Sequence, residues 1–219
     1  MRVADYTKPY YPVFLDLTGR RAVIVGGGSV AERKVTTLAE YGPRIRVIAP
    51  ECTPALLELA ASGSIELEQR GYIRGDLDGA FIVVCATDSE EVNRAVHAEA
   101  EERGCIVNVV DVPELCSFIV PSIVRRGTLS VAISTGGAAP TVAKRLRRHV
   151  QKHLGPEWEA YVTLLGEVRT LVMERVPGGE AERKPLFEAI ADSDLLARIA
   201  DGACPTAEEV YAEFVGERP

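Results

Sequence analysis

The chain alternates short apolar runs with longer stretches in which apolar residues recur at helical spacing. From about residue 21 to residue 110 this alternation predicts a parallel sheet covered by helices. The predicted strands lie at 21–25, 45–49, 65–68, 80–86 and 105–110. Because ligands of such sheets lie across the carboxyl ends of the strands, we expect a binding site at that edge.

Helix-start signals lie between these strands. Thr53 followed by Pro54 is a typical helix beginning, since a threonine side chain caps free amides and proline fits the first turn. Asp88 with Glu91 predicts a capping box for a helix that ends near Gly104.

The pattern changes after residue 111. Ser117–Pro121 and Thr128–Ser134 are predicted to be paired strands with a turn at Arg125–Gly127, outside the main sheet. Helices are predicted from about residue 141, over 157–176, around 185–200 and over 206–216. We therefore predict an α/β fold. It comprises a Rossmann-type parallel sheet over 1–113, a small α+β segment over 114–150 and a helical C-terminal domain over 151–219.

The first predicted strand runs directly into three glycines and then a helix that continues to about residue 41. Gly26 permits a tight turn, Gly28 lets the backbone approach a pyrophosphate, and small Ala31 lets the helix pack on the sheet. The first helical amides, including those of Ser29 and Val30, lack partners within the helix and favour a bound phosphate. The motif predicts a dinucleotide site.

The loop after the second strand is predicted to complete this site through Pro50 and Glu51. Glu51 stands 20 residues after Ala31, near the place where an acidic side chain commonly binds the adenosine ribose. Its carboxylate would repel a 2′-phosphate, which favours NAD over NADP. The alternative is that Glu51 merely begins the next loop.

Polar residues also stand at the ends of the fourth and fifth strands. Thr87 and Asn108 are candidates for binding the nicotinamide side of the cofactor, and each is equally well explained as a strand end that begins a turn. Asp111 follows a buried strand and precedes Pro113, which stiffens the loop, so it is the candidate general base. A local turn hydrogen bond is its alternative role.

Composition narrows the function classes. A formal charge of −7 gives no electrostatic reason to bind nucleic acid or an anionic membrane. The five cysteines are scattered without a C-x-x-C pair, which argues against a disulfide framework or a zinc ribbon. No signal core or membrane-length apolar run is present, so we expect a cytoplasmic protein.

Six short motifs follow one another in order along the chain. They are Tyr11–Leu17, Val25–Lys34, Ala86–Asp88, Asn108–Asp111, Ser117–Ser122 and Ser134–Pro140. Together they resemble the precorrin-2 dehydrogenase family, which includes the N-terminal part of multifunctional siroheme synthases. The resemblance extends from about residue 10 to residue 148 and, less specifically, through the helical tail.

This resemblance implies NAD-dependent oxidation of precorrin-2 to sirohydrochlorin, with the aspartate at 111 linked to catalysis and to metal handling. Some members also insert ferrous iron into the product. The resemblance further implies a homodimer that exchanges the segment at 114–150. No methyltransferase domain follows in this sequence, so a separate uroporphyrinogen methyltransferase is expected upstream. Where relatives often carry serine, this chain has Ala139.

A substrate rich in carboxylates would need local positive charge on an acidic protein. Arg125, Lys144, Arg145 and Arg148 are the candidate substrate-binding residues, although a charge run on a helix is usually a solvated face. No metal ligands are assigned. Two further functions remain open: a bifunctional dehydrogenase and ferrochelatase, and a regulatory module that binds NAD without catalysis.

Overall fold

A computed structural model describes residues 9–215, and these divide into two compact units between Val120 and Pro121. The first unit is a sheet with helices on both faces. Its elements are β1 (Arg21–Val25), α1 (Ser29–Ala39), β2 (Arg44–Ile48), α2 (Pro54–Ala61), β3 (Glu66–Glu68), β4 (Ile82–Cys85), α3 (Glu90–Arg103), β5 (Ile106–Val109) and a 3-10 turn (Pro113–Leu115).

The sheet has five parallel strands in the order β3-β2-β1-β4-β5. The last residue of β1, Val25, lies in register with Ile48 of β2 and with Cys85 of β4. Three strands therefore end at the same level, and the glycine turn that follows β1 lies between its two neighbours. This confirms the predicted Rossmann-type sheet, with strand bounds shifted by at most two residues.

The two faces of the sheet bury alternate residues of each strand. Val23 packs on the face covered by α3, whereas its neighbour Ile24 packs on the face covered by α1 and α2. Both side chains are fully buried. This is the period-two alternation of a strand buried on both sides, and it explains why the strands read as unbroken apolar runs.

One helix start was predicted correctly and the other was wrong. Thr53 caps α2, and its hydroxyl accepts a hydrogen bond from the amide of Leu56 at 3.4 Å. Helix α3 is capped by Ser89 and not by Asp88, since the Ser89 hydroxyl accepts from the amide of Val92 at 3.3 Å. With Ser89 as the cap, Glu91 is the second helical residue, one position too early for a capping box.

The predicted strand at 117–121 is also wrong, because this segment lies along the free edge of β5 without forming a ladder. The amide of Ser117 donates to the carbonyl of Val107 at 2.8 Å, and the Ser117 hydroxyl accepts from the Val107 amide at 2.7 Å. The side-chain amide nitrogen of Asn108 donates to the carbonyl of Phe118 at 3.0 Å. One main-chain and two side-chain hydrogen bonds thus cover the edge of β5.

The second unit begins with an antiparallel strand pair and continues with helices. The predicted turn at Arg125–Gly127 is shifted, because both arginines belong to the first strand and Gly127, with φ 55°, makes the turn with Thr128. The elements are β6 (Ser122–Arg126), β7 (Leu129–Ile133), α4 (Pro140–His153), α5 (Glu157–Arg175), α6 (Glu180–Ala191), α7 (Leu195–Ala200) and α8 (Ala207–Val215).

Helix α4 packs on the strand pair, and α5 to α8 enclose a separate apolar core around Val172, Leu186 and Leu195. Helix α6 begins before the predicted residue 185 and includes Pro185 in its interior. The predicted end of the last helix at Gly216 lies outside the described residues. The division of the chain at residues 113 and 150 stays a prediction.

A fully buried carboxylate ties the loop after β3 to helix α3. Glu99 of α3 accepts hydrogen bonds from the amides of Gly75 at 3.0 Å and Leu77 at 3.4 Å, from the hydroxyl of Tyr72, and from Arg103 at 2.7 Å. Burial alone would raise the pKa of Glu99, but these donors hold it below its ordinary value. The ionised carboxylate therefore stabilises the folded chain.

We expect Glu99→Gln to lower the free energy of unfolding at pH 7 by about 2 kcal/mol, because hydrogen bonds to a buried charge are lost. Urea unfolding measures this. Since the folded pKa is lowered, the contribution is complete above the unfolded value of about 4.3 and is lost as pH falls below it. The gap between wild type and variant should therefore narrow at lower pH.

Glu102→Gln is the matched control on the same helix. Glu102 forms an exposed ion pair with Arg74, so its loss should cost about 0.5 kcal/mol or less. Equal losses for the two variants would show that the buried network does not stabilise the loop.

Candidate functional site

The turn after β1 requires glycine at its first position. Gly26 has φ 122°, a backbone conformation that other residues rarely adopt, and its amide donates to the carbonyl of Ile48 at 2.9 Å. A Cβ at this position would overlap the carbonyl of Ala86, which follows β4. Gly26 therefore lets β1 turn sharply between the ends of β2 and β4, as the sequence predicts.

The second glycine is equally constrained, and the sequence reasoning missed it. A Cβ on Gly27 would overlap the carbonyl oxygen of Glu51. The carbonyl of Gly27 accepts from the amide of Thr53 at 3.0 Å, so the loop after β2 is bonded to the glycine turn. The run of three glycines was the available signal, because the dinucleotide fingerprint specifies only the first and third of them.

The third glycine faces open space. Gly28 caps α1 without a side chain, its φ is −79°, and nothing lies within 4 Å of a Cβ built on it. The amides of Ser29 and Val30 that follow have no hydrogen-bond acceptor among residues 9–215. Open space above a glycine beside free helical amides fits the pyrophosphate of a dinucleotide. Ala31, fully buried, packs the helix on the sheet as predicted.

Pro50 and Glu51 are exposed and lie two and three residues after the end of β2. The contact between Glu51 and Gly27 is made by the backbone of Glu51, so its carboxylate is available at the same edge of the sheet. This position is compatible with binding to a ribose. That role stays a prediction.

Thr87 lies two residues after β4, Asn108 lies within β5 in register with Val84, and both take part in local structure. The Thr87 hydroxyl accepts from the amide of Ser89 at 3.2 Å, in the turn that leads into α3. The side-chain nitrogen of Asn108 is occupied by the carbonyl of Phe118. The Thr87 contact matches the alternative of a strand end that begins a turn, whereas Asn108 bonds the segment after the 3-10 turn to β5. Contact of either residue with a cofactor stays a prediction.

Asp111 lies two residues after β5 and has an unusual backbone. Its φ is 61°, and among residues 9–215 it is the only residue other than glycine with a positive φ. The turn is closed by a hydrogen bond from the amide of Val112 to the carbonyl of Val109 at 3.2 Å. The carboxylate is exposed and makes no hydrogen bond or ion pair with another described residue. The alternative role of Asp111, a local turn hydrogen bond made by its side chain, is therefore not found among residues 9–215.

Cys116 braces this turn, and the sequence analysis gave it no role. Its buried sulfur accepts from the amide of Val109 at 3.2 Å and lies 3.1 Å from the carbonyl of Val109 and 3.4 Å from that of Val112. One thiol thus contacts both ends of the turn that carries Asp111. Backbone strain of about 1–3 kcal/mol persists only where surrounding contacts hold it, and it is typical of functional sites.

The predicted substrate-binding cations belong to the second unit. The Arg125 side chain donates to the carbonyl of Gly127 at 3.1 Å. The other three candidates, all exposed on α4, are Lys144, Arg145 and Arg148. Their role in substrate binding stays a prediction.

Residues 9–215 contain neither a membrane-spanning helix nor a cluster of metal-binding side chains. No helix there is long and apolar enough to cross a bilayer. No group of three or more His, Cys, Asp or Glu side chains in that range comes together as a metal site.

Comparisons with known proteins give a consistent result. A family model described as putative NAD(P)-binding matches residues 13–122, and a model described as sirohaem biosynthesis protein central matches residues 126–153. Siroheme synthases of Methylobacillus flagellatus and Azotobacter vinelandii are 38% and 37% identical to this chain over 92% and 96% of its length. The chain spans 44% and 45% of these two relatives, which is less than half.

A solved structure titled SirC, precorrin-2 dehydrogenase, matches almost the whole chain. The TM-score is 0.77 at 27% sequence identity, and the match covers 94% of this chain and 98% of that one. The likeness includes the strand pair and the helices of the second unit as well as the nucleotide fold.

We expect Gly28→Val to weaken NAD binding about tenfold, because the added side chain would occupy the space next to the free amides and displace a charge-assisted hydrogen bond. Isothermal titration with NAD measures this. Gly166→Val is the control, since it adds the same group at another open position, in helix α5. Unchanged NAD affinity in Gly28→Val would contradict the proposed approach of the pyrophosphate.

Proposed function

This chain belongs to the precorrin-2 dehydrogenase and siroheme synthase family, and we propose that it oxidises precorrin-2 to sirohydrochlorin with NAD as the hydride acceptor. The observation that carries the proposal is the exposed carboxylate of Asp111, held in a left-handed turn at the same sheet edge as the glycine turn. A binding module would need the glycine turn but no strained acid beside it.

The residues of the glycine turn fit the cofactor. Gly26 and Gly27 bring three loops together, and the amides of Ser29 and Val30 are free to bind the pyrophosphate. The Glu51 carboxylate is suited to the ribose hydroxyls and would repel a 2′-phosphate, which is why we favour NAD over NADP. When bound, NAD supplies an acceptor for one hydride.

Oxidation removes two hydrogens from the reduced macrocycle. One departs with its bonding electron pair as hydride, which requires orientation of the substrate against the cofactor. The other departs as a proton while its bonding electrons remain in the ring. We propose that the Asp111 carboxylate accepts that proton, directly or through one water. This carboxylate is exposed and bonds to no other residue in the described part of the chain.

We propose a homodimer that exchanges the segment at 114–150, a cytoplasmic location, and a uroporphyrinogen methyltransferase that acts upstream. Arg125, Lys144, Arg145 and Arg148 are proposed to bind substrate carboxylates. Light scattering of the purified chain tests the dimer.

Anaerobic incubation of the purified chain with freshly prepared precorrin-2 and NAD tests the activity directly. We expect NADH and the sirohydrochlorin spectrum to appear together. Ferrous iron is added only afterwards, so that faster metal insertion would be seen as a separate activity. NAD binding without NADH formation would instead favour a sensor.

We expect Asp111→Asn to lower turnover by about 10²-fold or more, since general acid–base groups contribute about 10²–10⁴. Asparagine tolerates the positive φ of this turn, so folding should be retained. NADH formation and NAD affinity are measured on the same preparation, and only the first should fall.

Glu114→Gln is the matched control, because Glu114 is an exposed acid three residues further along the same loop. It should keep wild-type turnover. Near-normal activity in Asp111→Asn would remove Asp111 from the mechanism.

A further inference from the structure

Helix α1 carries a cation on the side that packs on the sheet. Lys34 lies between Ala31 and Val35, which are both fully buried, and its own side chain is half-buried. Helical side chains lean toward the helix N-terminus, so this side chain leads back toward the carboxyl ends of the strands. The ammonium group is therefore directed along the sheet toward the site edge.

The turn that carries Asp111 contacts the face of the sheet that α1 covers. The residue before Asp111, Val110, packs against the apolar cluster that includes Ala31 and Val35, which stand three residues before and one residue after Lys34 in α1. The Asp111 carboxylate and the Cys116 thiol act electrostatically on the Lys34 ammonium. The helix after the glycine turn thus places a positive charge beside the proposed proton acceptor.

No described residue neutralises this charge directly. Lys34 makes no hydrogen bond or ion pair within residues 9–215. Burial lowers its pKa, and repulsion from Arg33 lowers it further, against the opposing effects of Asp111 and Cys116. Removing a cation from water without a bonded anion costs free energy, so a half-buried ammonium in this position is suited to an anionic ligand.

We propose that Lys34 binds a carboxylate of the tetrapyrrole substrate and so holds the macrocycle next to Asp111. The inference rests on the proposed function and adds a residue to its substrate site. Lys34 is the sixth residue of α1, about 7.5 Å along the helix from the first residue whose free amide would bind the pyrophosphate. The proximity of the turn that carries Asp111 favours the substrate over the cofactor as the source of the anion, and the NAD titration distinguishes the two.

The test compares Lys34→Met, which keeps the length of the side chain without its charge, with Lys34→Arg, which keeps the charge. Arg33→Met is the matched control, because it removes a cation from the adjacent, exposed position of the same helix. Binding of sirohydrochlorin is followed by fluorescence quenching and binding of NAD by calorimetry. The KM for precorrin-2 is measured alongside, and thermal unfolding checks the fold of each variant.

We expect Lys34→Met to raise the Kd for sirohydrochlorin and the KM for precorrin-2 about tenfold, as the loss of one charge-assisted hydrogen bond requires. NAD affinity should stay within about twofold, and Lys34→Arg should restore most of the tetrapyrrole affinity. Arg33→Met should bind the tetrapyrrole as the wild type does.

Two results would overturn the inference while the proposed function stands: wild-type turnover with unchanged tetrapyrrole affinity in Lys34→Met, or a loss confined to NAD affinity. A wild-type chain that binds sirohydrochlorin without producing NADH would reject the dehydrogenase, and the binding data would still decide the role of Lys34. A wild-type chain that binds no tetrapyrrole would reject both.

Discussion

The first unit depends on the close approach of three backbones at the glycine turn. Gly26 contacts the carbonyl of Ala86 after β4, and Gly27 contacts the carbonyl of Glu51 after β2. Any side chain at either position would push one of these loops away. Because the three strands end in register, the turn, the loop after β2 and the start of α1 are brought together by main-chain contacts.

At the β5 side of the sheet, the side chains of Ser117 and Asn108 take the place of a further strand. Among residues 9–215, β5 has no strand on its outer side, and the hydroxyl of Ser117 and the side-chain amide of Asn108 bond the following segment to that edge. The Cys116 thiol then holds the turn in which Asp111 has its positive φ. Covering the edge of the sheet and positioning the acid are therefore achieved by the same short segment.

Polar groups in this unit fall into two classes. Glu99 is buried, receives several hydrogen bonds and stabilises a loop far along the sequence from its helix. Asp111 and Lys34 carry opposite charges near each other, and neither bonds to another described residue. The buried group that stabilises the fold has partners, whereas the two groups that we propose to act on a ligand leave their bonding capacity available. This contrast is the physical basis of the roles that we propose for Asp111 and Lys34.

The sequence by itself determined the parallel sheet, the glycine turn and the helix start at Thr53, because apolar runs and local cap residues report local conformation directly. It also singled out Asp111 by its place after a strand. Only the tertiary structure decided that Ser89 caps α3, that residues 117–121 cover a strand edge, that Gly27 and Cys116 contact the turns at the sheet edge, and that Lys34 is half-buried near Asp111. Each of these depends on contacts between segments distant in sequence or on a one-residue shift in a helix start, and neither the spacing of apolar residues nor a short motif encodes such contacts.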